Sequence, residues 1–305
     1  MPNYLRHASV VALTLLVAAC TGSGGSAAPS VSPGDLPSGA PTEQPSGSPA
    51  EVGAIEHPTG ATDIVLRYDV GGGLMMAGWA ASQVPTFTLY GDGTVVFRNT
   101  TQEMPPAAGS VTRGNPLRIA KLNEAQIQDL LEFAIGTSGL GAAREQYDNP
   151  MVTDVGTTTF TIDAGGVKKE VNIYALGMET EGVPDMPARR AFDALAQRLS
   201  DFDQGGAIPT DVYAPTAYRG ILMDGTGMVD PGIIAWPWTD IAPSDFKGPA
   251  DPNAFQLAQR TLTPEEVEAL RAEVPEGGFQ GLLISGPDGK TYSFSLRPLL
   301  PDETE

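Results

Sequence analysis

An α+β fold is what this 305-residue sequence predicts, and three observations point to it. Runs of alternating apolar and polar residues recur, joined by Gly- and Asp-rich turns, as antiparallel hairpins require. Between the hairpins lie segments with apolar residues at i, i+3, i+4 and i+7, each introduced by a capping pattern. The elements fall into two successive sets, which predicts tandem units of hairpins, each packed against one or two helices.

The chain opens with Arg6, an apolar run at 10–17, then Ala18, Ala19 and its single cysteine, Cys20. A cationic start, a short apolar core and small residues at the cut describe an export signal. About ten apolar residues are too few for a membrane span, which needs ~20. Val17-Ala18-Ala19-Cys20 resembles the lipobox of bacterial lipoproteins. The resemblance implies removal of residues 1–19 and a diacylglyceryl group on the Cys20 sulfur. It places the protein on the extracytoplasmic face of the cell membrane, with membrane lipid as a partner. The rival is ordinary signal cleavage with Cys20 left free, an exposed thiol with no second cysteine to pair.

Residues 20–55 then read as lipidated Cys20 and a Gly/Ser/Pro linker. With no aromatic residue between 21 and 51, the linker cannot bury enough apolar surface to repay ordering. As a flexible coil of about 30 residues it averages ~30 Å end to end and reaches ~100 Å when stretched.

The first α+β unit is expected over 56–205. Ile64, Leu66, Tyr68 and Val70 alternate with Val65, Arg67 and Asp69, a period-two strand. Residues 86–90 and 94–98 form a hairpin around Gly91-Asp92-Gly93, where Asp-Gly tolerates positive φ and Asp92 serves the backbone. Asn123 caps a helix, Gln126 completes a capping box, and Ile127, Leu130, Leu131 and Ala134 form one stripe. Strands at 157–163 and 169–175 join through Ala164-Gly165-Gly166. A further helix starts near Pro187 and buries Phe192, Leu195 and Leu199.

The second unit is expected over 206–305, with strands at 218–223 and 233–238. Thr263-Pro264-Glu265-Glu266 opens a helix whose stripe is Val267, Leu270 and Val274. Residues 279–285 and 291–297 form a last hairpin around Gly286-Pro287-Asp288-Gly289. The helix start 122–130 aligns with 262–270, which reads as a diverged duplication. Any amphipathic helix with a capping box gives the same likeness over nine positions.

Charge excludes some functions. After loss of Arg6 with the signal, 17 Lys+Arg face 37 Asp+Glu, a net charge of −20. Such a surface repels phosphate backbones and anionic lipid head groups, so nucleic acid is not an expected partner.

Catalytic sets are sparse. The mature chain keeps one histidine, His57, beside Pro58 at the linker edge, and it reads as a solvated residue. Without a base near a nucleophile, Ser–His–Asp and Cys–His chemistry is not expected. Ser244-Asp245-Phe246-Lys247 matches S-x-x-K, but its companion K-T-G and S-D-N elements are absent. Gly71-Gly72-Gly73 lacks the Lys and Ser/Thr of a phosphate loop.

No cofactor is expected, and one histidine cannot furnish a usual zinc site. A weak calcium candidate groups Asp240, Asp245, Asp251 and Asn253, at spacings unlike a calcium loop; a solvated acidic loop is the competing reading.

Candidate binding residues are Tyr147, Asp148 and Asp154, in a loop segment (144–149 and Asp154) dense in hydrogen-bonding groups; a capping network competes with that reading. Trp236 and Trp238 complete the set, as aromatic faces or as one core residue and one strand-edge residue.

The stretch from Tyr90-Gly91-Asp92-Gly93-Thr94 through 122–131 to Thr157-Thr158-Thr159-Phe160, with Tyr147-Asp148, resembles an uncharacterised domain of bacterial lipoproteins. That resemblance covers about half of the mature chain and implies export and an α+β fold; no catalytic residues come with it. The expected function is therefore a membrane-anchored lipoprotein that binds an unknown protein or small molecule in the cell envelope. The alternative is a carboxylate-dependent hydrolase of envelope or extracellular glycans, whose acid pair the fold would have to assemble.

Overall fold

Gly91-Asp92-Gly93 turns the chain as predicted. Gly93 takes φ +85°, while Asp92 Oδ1 accepts the Thr94 N–H at 2.9 Å. The second predicted turn closes on two residues, Gly165 and Gly166, with φ +60° and +72°, conformations that a Cβ would disfavour. Both helix starts carry complete capping boxes, Asn123 with Gln126 and Thr263 with Glu266.

The computed structural model describes residues 53–75, 77–98, 111–225, 227–228, 232–248, 257–271 and 275–303. The signal, Cys20, most of the linker, Asp251, Asn253 and Val274 lie outside the described residues. Residues 50–305 form one compact unit.

In chain order the elements begin with β1 (Ile64–Gly71), α1 (Ala77–Ala81), β2 (Phe87–Tyr90), β3 (Thr94–Arg98), β4 (Thr112–Arg113) and β5 (Leu117–Lys121). Next come α2 (Glu124–Glu132), β6 (Gln146–Tyr147), β7 (Thr157–Ala164), β8 (Val167–Tyr174) and α3 (Met186–Ser200). The remainder comprises β9 (Asp211–Val212), β10 (Tyr218–Asp224), β11 (Ile234–Ala235), β12 (Ala258–Leu262), α4 (Pro264–Glu268), β13 (Phe279–Ser285) and β14 (Thr291–Pro298).

The fold is α+β, with two mostly antiparallel sheets. One runs β6-β8-β7-β1-β2-β3-β5-β9 and the other β11-β13-β14-β10-β12, with β4 paired to β13. The sheets exchange strands across position 206: β4, from the first set of elements, joins the second sheet, and β9, from the second set, joins the first.

One face of the first sheet packs on α2 and α3. Ile127, Leu130, Leu131, Phe192, Leu195 and Leu199 share a core with Phe87, Phe160 and Ile162. The opposite face carries a smaller cluster in which Tyr90, Val96 and Leu117 meet Tyr213 and Leu300. The second sheet has an aromatic core of Trp238, Phe246, Phe279 and Phe294, joined by Val267 of α4 and by Leu270 just after it.

Four local expectations are corrected. A bulge between Ile64 and Leu66 breaks the alternation of β1, so Val65 is fully buried in the same core as Leu66 and Tyr68 while Ile64 packs on the opposite cluster; Val70, near the strand end, is 42% exposed. The strand expected at 233–238 shrinks to β11. The Trp236 N–H makes its last bond, to Ser285 O, before Pro237, which has no donor. The helix after Thr263 lasts only five residues, and Arg271 beyond it takes φ +47°. Finally, His57 is fixed rather than solvated. Its side chain is 6% exposed, with Nδ1 at 2.6 Å from Pro58 O and Nε2 at 3.3 Å from Glu124 Oε1.

The C-terminal turn is pinned to the first sheet. Tyr90 Oη donates to Asp302 Oδ1 at 2.6 Å, Arg67 Nη2 donates to the same oxygen at 2.7 Å, and Tyr213 Oη donates to Leu299 O at 2.9 Å. Asp302→Ala is expected to cost about 3 kcal/mol in urea unfolding, since it strips a mostly buried guanidinium and a buried phenol of their acceptor.

Alkaline pH attacks the same contacts. Burial first, then the Asp302 carboxylate, pushes the Tyr90 phenol far up, and burial raises Tyr213 and Tyr218 to about 12. In the unfolded chain these groups ionise near 10. Their contribution is therefore intact below pH ~10 and is lost as pH rises from there through about 12. Phenolate absorbance at 295 nm should appear together with unfolding, not before it.

Candidate functional site

The second sheet leaves a cleft beside its edge strand β11. On one side β11 pairs in parallel with the end of β13, at Ile284 and Ser285; on the other, β4 pairs with its start, at Phe279 and Gln280. The end of α4 and the residues after it close the third side. The resulting volume is about 590 Å³, within the range of small-molecule sites.

Nine apolar residues line it, among them Trp236, Leu270, Phe279 and Leu282, together with two arginines, Arg113 and Arg271. No acid is among the described residues that line it.

The wall is preorganised. Trp236 Nε1 donates to Ile241 O at 2.6 Å, and its ring meets Trp238 edge-to-face at 5.2 Å. Trp238 in turn donates to Glu266 O at 2.8 Å, which ties the tryptophan pair to α4. Both indole N–H groups are thus spent on the backbone, leaving ring surface rather than donors for a ligand.

Of the two tryptophans predicted to bind, the structure brings only Trp236 to the cleft. Trp238 is 6% exposed and sits in the core. Trp238 lies past Pro237, where its ring packs on Phe246 and Phe294, while Trp236 stays half-buried at the rim.

The predicted loop residues are not assembled into a site. Tyr147 is buried, with its ring against Phe192 at 5.1 Å and its hydroxyl accepting the Arg144 N–H at 3.1 Å. Asp148 is exposed. Asp154 occupies a turn at φ +58°, and its backbone oxygen accepts from Leu74 N.

What organises that region is Arg189, which the sequence reading passed over. Its side chain is fully buried on α3 and donates to Tyr174 O (3.1 Å), Tyr147 O (3.2 Å) and Glu179 Oε1 (3.3 Å). The Tyr147 loop is therefore the outer skin of a structural network.

Of the calcium candidate, Asp251 and Asn253 lie outside the described residues. Asp240 is exposed, and Asp245 Oδ2 caps a short turn by accepting Ala242 N at 2.8 Å. Among the described residues, no three His, Cys, Asp or Glu side chains gather as a metal site. In the S-x-x-K match, Lys247 Nζ bonds the Ser244 carbonyl rather than its hydroxyl.

A second hollow, of about 550 Å³ between α2 and α3, contains two acids, Asp129 and Asp201. Asp129 is largely exposed and paired with Arg198 at 2.7 Å, so it lacks the apolar surroundings a general acid requires.

Arg113, Arg271, Leu270, Phe279 and Leu282 were not foreseen as site residues. They lie far apart in sequence and meet only through strand pairing, and no local pattern marks them. Compared with known protein families, curated proteins and solved structures, the chain matches none.

Arg189→Met is expected to lower stability by about 3 kcal/mol, because three acceptors, one buried and two part-buried, lose their donor. Denaturant unfolding measures the loss. The tryptophan emission of the folded variant should stay unchanged; a shift would show that the network reaches the cleft.

Proposed function

We propose that the chain is a lipid-anchored, extracytoplasmic lipoprotein of the bacterial type that acts by binding a small molecule in the cleft at Trp236. One observation carries the binding role: a rigid, apolar, ligand-sized cleft without an acid or a nucleophile–base pair among its described lining residues. The export signal and Val17-Ala18-Ala19-Cys20 support the location. Among the described residues no helix is long and apolar enough to cross a membrane, so in this reading attachment rests on the acylated cysteine.

Glycan hydrolysis finds less support. In the hollow between α2 and α3, Asp129 faces water in an ion pair with Arg198 and Asp201 accepts the Gly205 N–H, and the tryptophan donors that would orient a sugar are already used.

Two experiments test the proposal. Cys20→Ser should move the protein from the membrane fraction to the soluble fraction; retention in the membrane would overturn thioether anchoring. Native mass spectrometry of protein purified from its own envelope should show a bound small molecule. Ala269→Trp, at an exposed position on the cleft wall, should abolish that adduct without unfolding the chain.

A further inference from the structure

We infer that the hollow between α2 and α3 is a second binding site, one that holds a neutral sugar without cutting it. The site is separate from the Trp236 cleft and does not depend on it.

Four carboxamides meet there. Asn123 and Gln126 stand at the start of α2, Gln197 near the end of α3, and Gln204 in the turn beyond it, around a volume of about 550 Å³. The capping box consumes two of their oxygens, since Asn123 Oδ1 accepts the Gln126 N–H and Gln126 Oε1 accepts the Asn123 N–H. What these two residues offer a ligand is their amide NH2 groups, which donate. Gln197 is the reverse case. Its Nε2 donates to Asp193 at 2.7 Å, so its oxygen is the atom left to accept. A group that answers donors and acceptors alike is a hydroxyl, and a ring studded with hydroxyls is a sugar.

Gln204 adds an observation of a different kind. It sits at φ +51°, a left-handed conformation that a side chain disfavours, while Gly205 and Gly206 beside it take φ +68° and +93° freely. The turn is held by its backbone: Gln204 N donates to Asp201 O at 2.9 Å, and Gly205 N donates to Asp201 Oδ1 at 3.1 Å. The Gln204 side chain has no hydrogen-bond partner among the described residues. A strained position that keeps a carboxamide with no use inside the fold points to a use outside it.

The rest of the hollow suits the same ligand. Leu122, Leu130 and Phe202 are nearly buried, so they show it only strips of carbon, against which the C–H face of a sugar ring packs. Arg198 and Asp129 are paired with each other at 2.7 Å, and Asp201 is committed to the turn, which leaves no acid placed to cleave a glycosidic bond. An extended peptide would seek an open strand edge, and these walls are helix and turn.

Calorimetry and ligand-observed NMR on the purified full chain, in a detergent without a sugar head, test the inference. The probes are maltose, cellobiose, lactose and N,N′-diacetylchitobiose, with N-acetyl-Gly-Gly-amide as the peptide control. At least one disaccharide should bind at millimolar concentration or below, and tighter than the peptide. Gln204→Gly should weaken that sugar roughly fivefold, the loss of one neutral hydrogen bond, without lowering the urea midpoint. Ala125→Trp, at an exposed position on the wall, should abolish sugar binding with the fold intact. Ala269→Trp, which fills the Trp236 cleft, should leave sugar affinity unchanged, so the two sites fail separately. Failure of all four sugars, tighter binding of the peptide, or sugar binding that survives Ala125→Trp overturns the inference. A lowered midpoint in Gln204→Gly with sugar affinity unchanged overturns it too, because Gln204 would then serve the fold alone.

Discussion

The carboxylate of Asp302 is the contact on which the joining of the two sheets depends. It lies at the end of the chain, yet it accepts from Tyr90 on β2 and Arg67 on β1, two central strands of the first sheet. Without it, the non-helical face of that sheet would hold a buried phenol and a guanidinium over a small apolar cluster. The clamp works because the turn before it is itself braced: Arg297 grips Glu303 with both terminal nitrogens, at 2.6 and 2.8 Å. Glu303 also accepts from Leu300 N, so this turn is a rigid bracket.

The strand exchange depends on equally close contact. Gly114 N–H, just past β4, donates to Gly278 O at 2.9 Å, and Gly114 and Gly277 face each other so tightly that a methyl on either would collide with the other's carbonyl oxygen. Arg98 reaches Gly277 O from β3 alongside this crossing. Two sheets that trade edge strands and share a glycine–glycine crossing cannot separate as rigid halves, which is why residues 50–305 behave as one unit.

What could be read from the sequence divides along the same line. Local rules sufficed for the hairpins at Asp92 and Gly165-Gly166, for both capping boxes and for the stripe Ile127–Leu130–Leu131, because each is decided within about eight residues. Long-range pairing was not legible. The two-residue strands β4 and β9 have no period to detect, and their partners lie over 90 residues away for Arg118–Val212 and over 160 for Thr112–Gln280. The bulge at Ile64 hid which face of β1 was inward, and Pro237 cut short a strand that hydrophobicity alone would extend. Of the site, Trp236 was visible because large aromatics are rare in this chain; its arginine neighbours were not, because Arg113 and Arg271 become adjacent only after folding.

Many of the arginines are structural. Arg67, Arg98, Arg189, Arg260 and Arg297 serve as internal cross-links, to Asp302, Gly277 O, the Tyr147–Tyr174–Glu179 group, Glu266 and Glu303 in turn. The Nε of four of them finds no acceptor, a cost that a fork of five donors can bear and a lysine could not match in number of bonds. Burial of Arg98 pushes its guanidinium below its ordinary range, offset by the nearby Asp69. A chain already short of cations thus keeps many of them inside, and its water-facing surface is more acidic than composition implies. With the proposed anchor at Cys20, the linker's ~30 Å average span exceeds a Debye length of about 8 Å several-fold, so that repulsion does not press the folded unit away from its own membrane. In the proposed arrangement the lipid chains hold the folded unit near the membrane while its acids keep it from adhering.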